Sequence, residues 1–81
     1  LDVPGRMATV LLELAEHHGV DEGHGEIRLR LTQAELASCC AASRVMVNKV
    51  LGIFRDEGLI KLEGQAITIL DADGLRRRAS C

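Results

Sequence analysis

Thr32-Gln33-Ala34-Glu35 has the form of a capping box. In that motif the first hydroxyl accepts from the fourth residue's amide, and the fourth carboxylate accepts from the first amide. A helix therefore starts there. It runs on through Leu36, Ala37, Cys39 and Cys40, and Ala41-Ala42 separates it from a second cap residue, Ser43. Two helices joined by so short a turn cross at a steep angle. The N-terminal end of the second then projects from the body of the protein, and the rest of the chain must be arranged around that projection.

The flanking segments supply the body. Asp2 is an N-cap and Pro4 suits a first helical turn, where its missing N–H leaves nothing unpaired. Met7, Val10, Leu11, Leu14 and Ala15 then recur at helical spacing, which predicts a helix from about Val3 to His18 that Gly19 stops. Val20 to Gly25 is rich in glycine and acid and reads as a loop. Glu26 to Leu31 alternates, with Ile27, Leu29 and Leu31 on one side, the period of a half-buried strand. After Ser43, the residues Val47, Val50, Leu51 and Phe54 form one buried stripe of a helix that reaches about Glu57 and ends at Gly58. Leu59–Leu62 and Ala66–Leu70 read as two strands joined by Glu63-Gly64-Gln65. Asp71 caps a last short helix over Ala72–Arg78. The fold class is thus α+β, a helix-turn-helix with a small helical core and a β-hairpin wing, in one domain over residues 1–81.

Composition narrows the function. In 81 residues Phe54 is the only Phe, Trp or Tyr, so Leu, Ile, Val, Ala and Cys must build a small core. No apolar run approaches the ~20 residues needed to span a bilayer, and no signal segment opens the chain. A reduced, cytoplasmic protein is expected, because three cysteines (Cys39, Cys40 and Cys81) give no disulfide framework. Cys39 and Cys40 are expected to fill the core as small hydrophobes. His17 and His18 point roughly 100° apart on a helix, and with His24 they make no metal site. Arg76, Arg77 and Arg78 suit a solvated helix end. There is no activated nucleophile, no phosphate loop and no paired acid and base with a pocket, so no catalytic residue is assigned and the chain is not expected to be an enzyme.

The second helix carries the chemistry. Opposite its buried stripe it presents Val45, Asn48, Lys49, Gly52 and Asp56, with Arg44 at the tip. Arg44 can donate twice to O6 and N7 of a guanine, Asn48 has the donor and acceptor that match adenine, and Val45 can touch a thymine methyl. Lys49, about one turn on, can reach a base edge or a phosphate. Thr32, Gln33 and Ser43 stand at two helix N-termini, where backbone amides favour phosphate. The net charge of −2 argues for a competing class, a winged-helix module that binds protein and not DNA. Against it, the acids crowd the first third, while Arg44, Lys49, Arg55 and Lys61 come later, so one face can be basic.

The stretch L-T-Q-A-E-L-A-S-C-C-A-A-S-R-V-M-V-N-K-V-L, the later D-E-G-L-I and the opening D-V-P-G-R-M-A resemble the C-terminal domain of the Crp/Fnr regulators over nearly the whole chain. The resemblance implies a bacterial transcription regulator that binds double-stranded DNA as a homodimer. It implies an upstream sensor domain, often a cyclic-nucleotide barrel, and a dimerisation helix before Leu1; Leu1 itself is expected to be a fragment's first residue. This domain needs no cofactor of its own. RNA polymerase is a further implied partner. By position Arg44 and Lys49 match the family's groove readers, Thr32, Gln33 and Ser43 its phosphate contacts, and the turn holding Gln65 its wing tip. Three departures stand out. Val45 replaces a common Glu, so the half-site should differ there. Ala41 replaces the usual Gly in the turn, where a positive φ would strain it. Glu63 puts a negative charge on the wing.

Overall fold

In the computed structural model, which describes residues 2–80, four helices pack with a four-stranded antiparallel sheet, the last helix lying against the first. The elements are α1 (Val3–His18), β1 (Val20–Gly23), β2 (Glu26–Arg30), α2 (Gln33–Cys40), α3 (Arg44–Asp56), β3 (Ile60–Glu63), β4 (Ala66–Ile69) and α4 (Ala72–Ser80). The strand order is β1-β2-β4-β3, so the last hairpin is stitched to β2 through β4. Winged helix-turn-helix architecture follows from this order.

α1 begins as its sequence dictates: Asp2 Oδ1 accepts from the Gly5 amide at 2.9 Å. Its buried stripe is Met7, Ala8, Leu11 and Ala15, with Val10 and Leu14 half-buried. Gly19 ends the helix for a different reason than the expected one. Its backbone is extended, not left-handed. A Cβ there would stand 2.3 Å from Ile27 Cγ2 and 2.5 Å from the Ala15 carbonyl oxygen, so glycine is required by close packing against β2.

The main departure from the sequence reading is Val20–Gly23, which is a strand and not a loop. All four residues are exposed, so no burial pattern announces it. Backbone pairing with β2 holds it, and the turn at Gly23, His24 and Gly25 has positive φ at all three. β3 also starts one residue later than expected and takes in Glu63, leaving a two-residue turn of Gly64 and Gln65. α4 extends to Ser80, and Asp71 Oδ1 caps it by accepting from the Gly74 amide at 2.9 Å.

The core is aliphatic around one ring. Phe54, Met7, Leu11, Leu36, Val47 and Leu75 have no exposed surface. Of the two adjacent cysteines only Cys40 joins them, its thiol pushed up by burial; Cys39 points to solvent. Helical geometry is the reason: α2 buries Leu36, Ala37 and Cys40, one stripe at i, i+1 and i+4, which turns Cys39 away. Cys81 lies outside the described residues. Arg78 is not merely a solvated helix end. Its guanidinium pairs with Glu57 and lies 5.8 Å from the centre of the Phe54 ring, tying α4 to the end of α3.

Candidate nucleic-acid interface

The capping box forms as written. Thr32 Oγ1 accepts from the Glu35 amide and Glu35 Oε1 accepts from the Thr32 amide, both at 3.0 Å. Those bonds, the Thr32 amide first, hold the Glu35 carboxyl below the usual glutamate range. α2 then stops on Ala41, which adopts φ 53 and ψ 45, the left-handed region. The Ala42 amide closes the turn by donating to the Ala37 carbonyl at 3.0 Å. α3 leaves this turn bent by 101° from α2, within the range that lets a second helix project.

α3 is anchored on one side only. Val47, Val50, Leu51 and Phe54 are buried, each worth roughly 1.5–3 kcal/mol of transfer free energy. That anchoring leaves the other side free of packing duty. Ser43 Oγ accepts from the Met46 amide at 3.1 Å, and the helix ends where the Leu59 amide donates to the Phe54 carbonyl at 3.0 Å across Gly58, φ 75. On the outer side Arg44, Val45, Asn48 and Lys49 are all exposed, Val45 by 81%. Among the described residues no ion pair engages Arg44 or Lys49, so both charges are available.

The wing turn is brought to the same place. The Leu31 amide, next to the Thr32 cap, donates to the Gln65 carbonyl at 2.9 Å. Thr32, Gln33, Arg44, Gly64 and Gln65 consequently line one open cleft of about 360 Å³. Ser43 is exposed just before Arg44. The structure thus gathers the start of α2, the tip of α3 and the wing on one side. Glu63 is held by Lys61 at 3.5 Å, so its charge on the wing is partly offset.

Two features of this face were not in the sequence reading. Met46 is 38% exposed on the flank of the α3 tip; it sits one residue before the buried stripe and carries no periodic signal. Asn48 does not stand alone: its Oδ1 accepts from Gln33 Nε2 at 3.3 Å. Among the described residues no cluster of three or more His, Cys, Asp or Glu side chains is placed to hold a metal. No single described helix is long and apolar enough to cross a membrane.

The sequence pattern of the Crp-like helix-turn-helix domain matches residues 5–78. The chain belongs to the Crp-like helix-turn-helix family. It is 49% identical over 80 residues to a CRP-like cAMP-activated global transcriptional regulator of Mycobacterium tuberculosis, covering 96% of this chain and 35% of that protein. It is 39% identical over 74 residues to the transcriptional regulator SdrP of Thermus thermophilus, covering 91% of this chain and 37% of that protein. A solved CRP/FNR-family transcriptional regulator from Thermus thermophilus superposes with a TM-score of 0.91 at 36% identity, covering 99% of this chain and 41% of the other. The Crp-like domain therefore spans about a third of the length of the curated relatives it matches. Its family is a DNA-binding class of bacterial transcription regulators, and not a class of enzymes.

Proposed function

We propose that this Crp-like domain binds specific duplex DNA by laying the N-terminal half of α3 in the major groove. One observation carries the reading: the α3 tip, the α2 N-terminus and the wing turn converge on one side, with Arg44 on the cleft they share and Lys49 exposed further along α3. In this account Arg44 reads a guanine, Val45 meets a thymine methyl, Lys49 reaches a base edge or phosphate, and Asn48 lies beside them. Thr32, Gln33, Ser43 and Gln65 hold the backbone and set the register. The first half of the helix is the part that engages; at the far end of the same face Asp56 is paired with Arg55.

The wider protein follows by analogy with its relatives. Several are named as cAMP-activated regulators, which supports a cyclic nucleotide bound by a sensor domain upstream of these residues. A homodimer on an inverted repeat, contact with RNA polymerase and a place in the bacterial cytoplasm belong to the same reading. The test is selection of bound duplexes from a random pool, using a version joined to a dimerising helix, followed by a salt titration on the winners. Enriched inverted repeats, with affinity falling steeply as salt rises, are expected. No enrichment, or binding indifferent to salt, would replace this reading with that of a protein-interaction module.

A further inference from the structure

Gln33 and Asn48 are fifteen positions apart in sequence yet joined side chain to side chain, Gln33 Nε2 donating to Asn48 Oδ1 at 3.3 Å. Gln33 is the first residue of α2 and half-buried; Asn48 is exposed on the second turn of α3. The bond therefore bridges the two helices at the mouth of the proposed interface. It is not needed to hold them together. Leu36, Ala37, Val47 and Leu51 are buried between these helices and the core, whereas an exposed neutral hydrogen bond contributes little to stability.

The chemistry of an amide makes the bridge informative. Reading adenine calls for the Asn oxygen as acceptor and the Asn nitrogen as donor together. Here the Asn48 oxygen is turned toward Gln33, so the amide does not present oxygen and nitrogen side by side to one base, and the NH2 group is the part that points away from Gln33. Asn48 also lies one turn beyond Arg44, at i+4, on the flank of α3 that faces α2. Val45 and Lys49, the neighbouring i, i+4 pair, lie on the more outward face. Asn48 therefore stands at the edge of the reading surface, presenting donors beside the α2 N-terminus.

We infer that Gln33 is a positioning residue that orients Asn48, so that the pair acts as one donor unit for an acceptor oxygen of the duplex rather than as an adenine reader. This rests on the proposal that α3 meets DNA, and it refines the roles of two residues within it. The oxygen can belong to a backbone phosphate or to a base edge of guanine or thymine; the chemistry is shared and the experiment separates them.

The test is a double-mutant cycle on the selected duplex with Gln33→Ala, Asn48→Ala and the double variant. Each single change is expected to weaken binding roughly three- to tenfold. The double variant is expected to be no weaker than the weaker single, because either change removes the unit. Neutral methylphosphonates placed one at a time then identify the source. If the oxygen is a phosphate's, one such substitution abolishes the difference between wild type and Asn48→Ala; if it is a base's, Asn48→Ala and Gln33→Ala alter the same position of the selected sequence. Losses that multiply in the double variant, or no loss in either single, would overturn the pairing. So would an adenine preference that needs Asn48 and survives Gln33→Ala, or lowered melting midpoints with no change in phosphate or base dependence. Arg44→Ala on the same duplex keeps the two failures apart. If it binds like wild type, the α3 reading itself is wrong; if it loses affinity while the pair behaves additively, only the pairing is wrong.

Discussion

Replacing Ala41 by glycine should make the domain more stable, although it removes a side-chain methyl. Ala41 sits at φ 53 and ψ 45, where the Cβ of an L-residue crowds the following carbonyl. That conformation costs an L-residue roughly 1–2 kcal/mol. Glycine escapes it but loses more freedom on folding, which takes back about 0.4–1 kcal/mol. Ala41 is exposed, so the lost methyl removes no core packing. The mid-values of these ranges leave a net gain of about 0.8 kcal/mol, or roughly 3–6 °C in melting midpoint for a domain of this size. The protein contains its own comparison: α3 ends in the same hydrogen-bonded turn, and there the left-handed position is Gly58 at φ 75. Thermal or urea unfolding of wild type and Ala41→Gly decides the matter, with Ala42→Gly as control, which should destabilise. An Ala41→Gly midpoint equal to or below wild type would refute the strain argument.

Two further outcomes follow from the same geometry. The Glu35 carboxyl is held below its ordinary range by Thr32, so its contribution to stability is complete above the unfolded-state value and is lost as pH falls through the lowered one. Glu35→Gln keeps a capping-box acceptor without that titration, and acid unfolding curves should show a shallower loss for it than for wild type. Gly74→Ala should destabilise by no more than about 1 kcal/mol in urea unfolding: the new Cβ would stand 2.4 Å from Leu59 Cδ2 and 2.7 Å from Asp71 Oδ2, displacing the side chain that caps α4, while the helix propensity of Ala offsets part of the cost.

The parts of the fold written in local chemistry were legible in the sequence. The Thr32 box, the Ser43 and Asp2 caps and the stripe of Val47, Val50, Leu51 and Phe54 each depend on residues within one or two turns of each other. β1 was not legible, because Val20–Gly23 buries nothing and exists only as a backbone partner of β2. Nor was the requirement for glycine at position 19, which arises from Ile27 on another element. The solvent-facing turn of Cys39 was decided by which α2 stripe packs inward. Arg78 looked like a helix-end charge until Phe54 and Glu57 were brought beneath it. At the interface, residue types identified Arg44 and Lys49 as candidates, whereas the Gln33–Asn48 bridge depends on the 101° bend between two helices.

In the proposed interface Arg44 at the α3 tip donates to a guanine in the major groove. The most direct measurement compares wild type and Arg44→Ala on the selected duplex, each with guanine or with 7-deazaguanine, which lacks the N7 acceptor, at the enriched position. Arg44→Ala should lose about 1–3 kcal/mol on the natural duplex. 7-Deazaguanine should weaken wild type but add nothing once Arg44 is gone. If the base change weakens both proteins equally, Arg44 does not read that guanine, and the placement of α3 proposed here is contradicted.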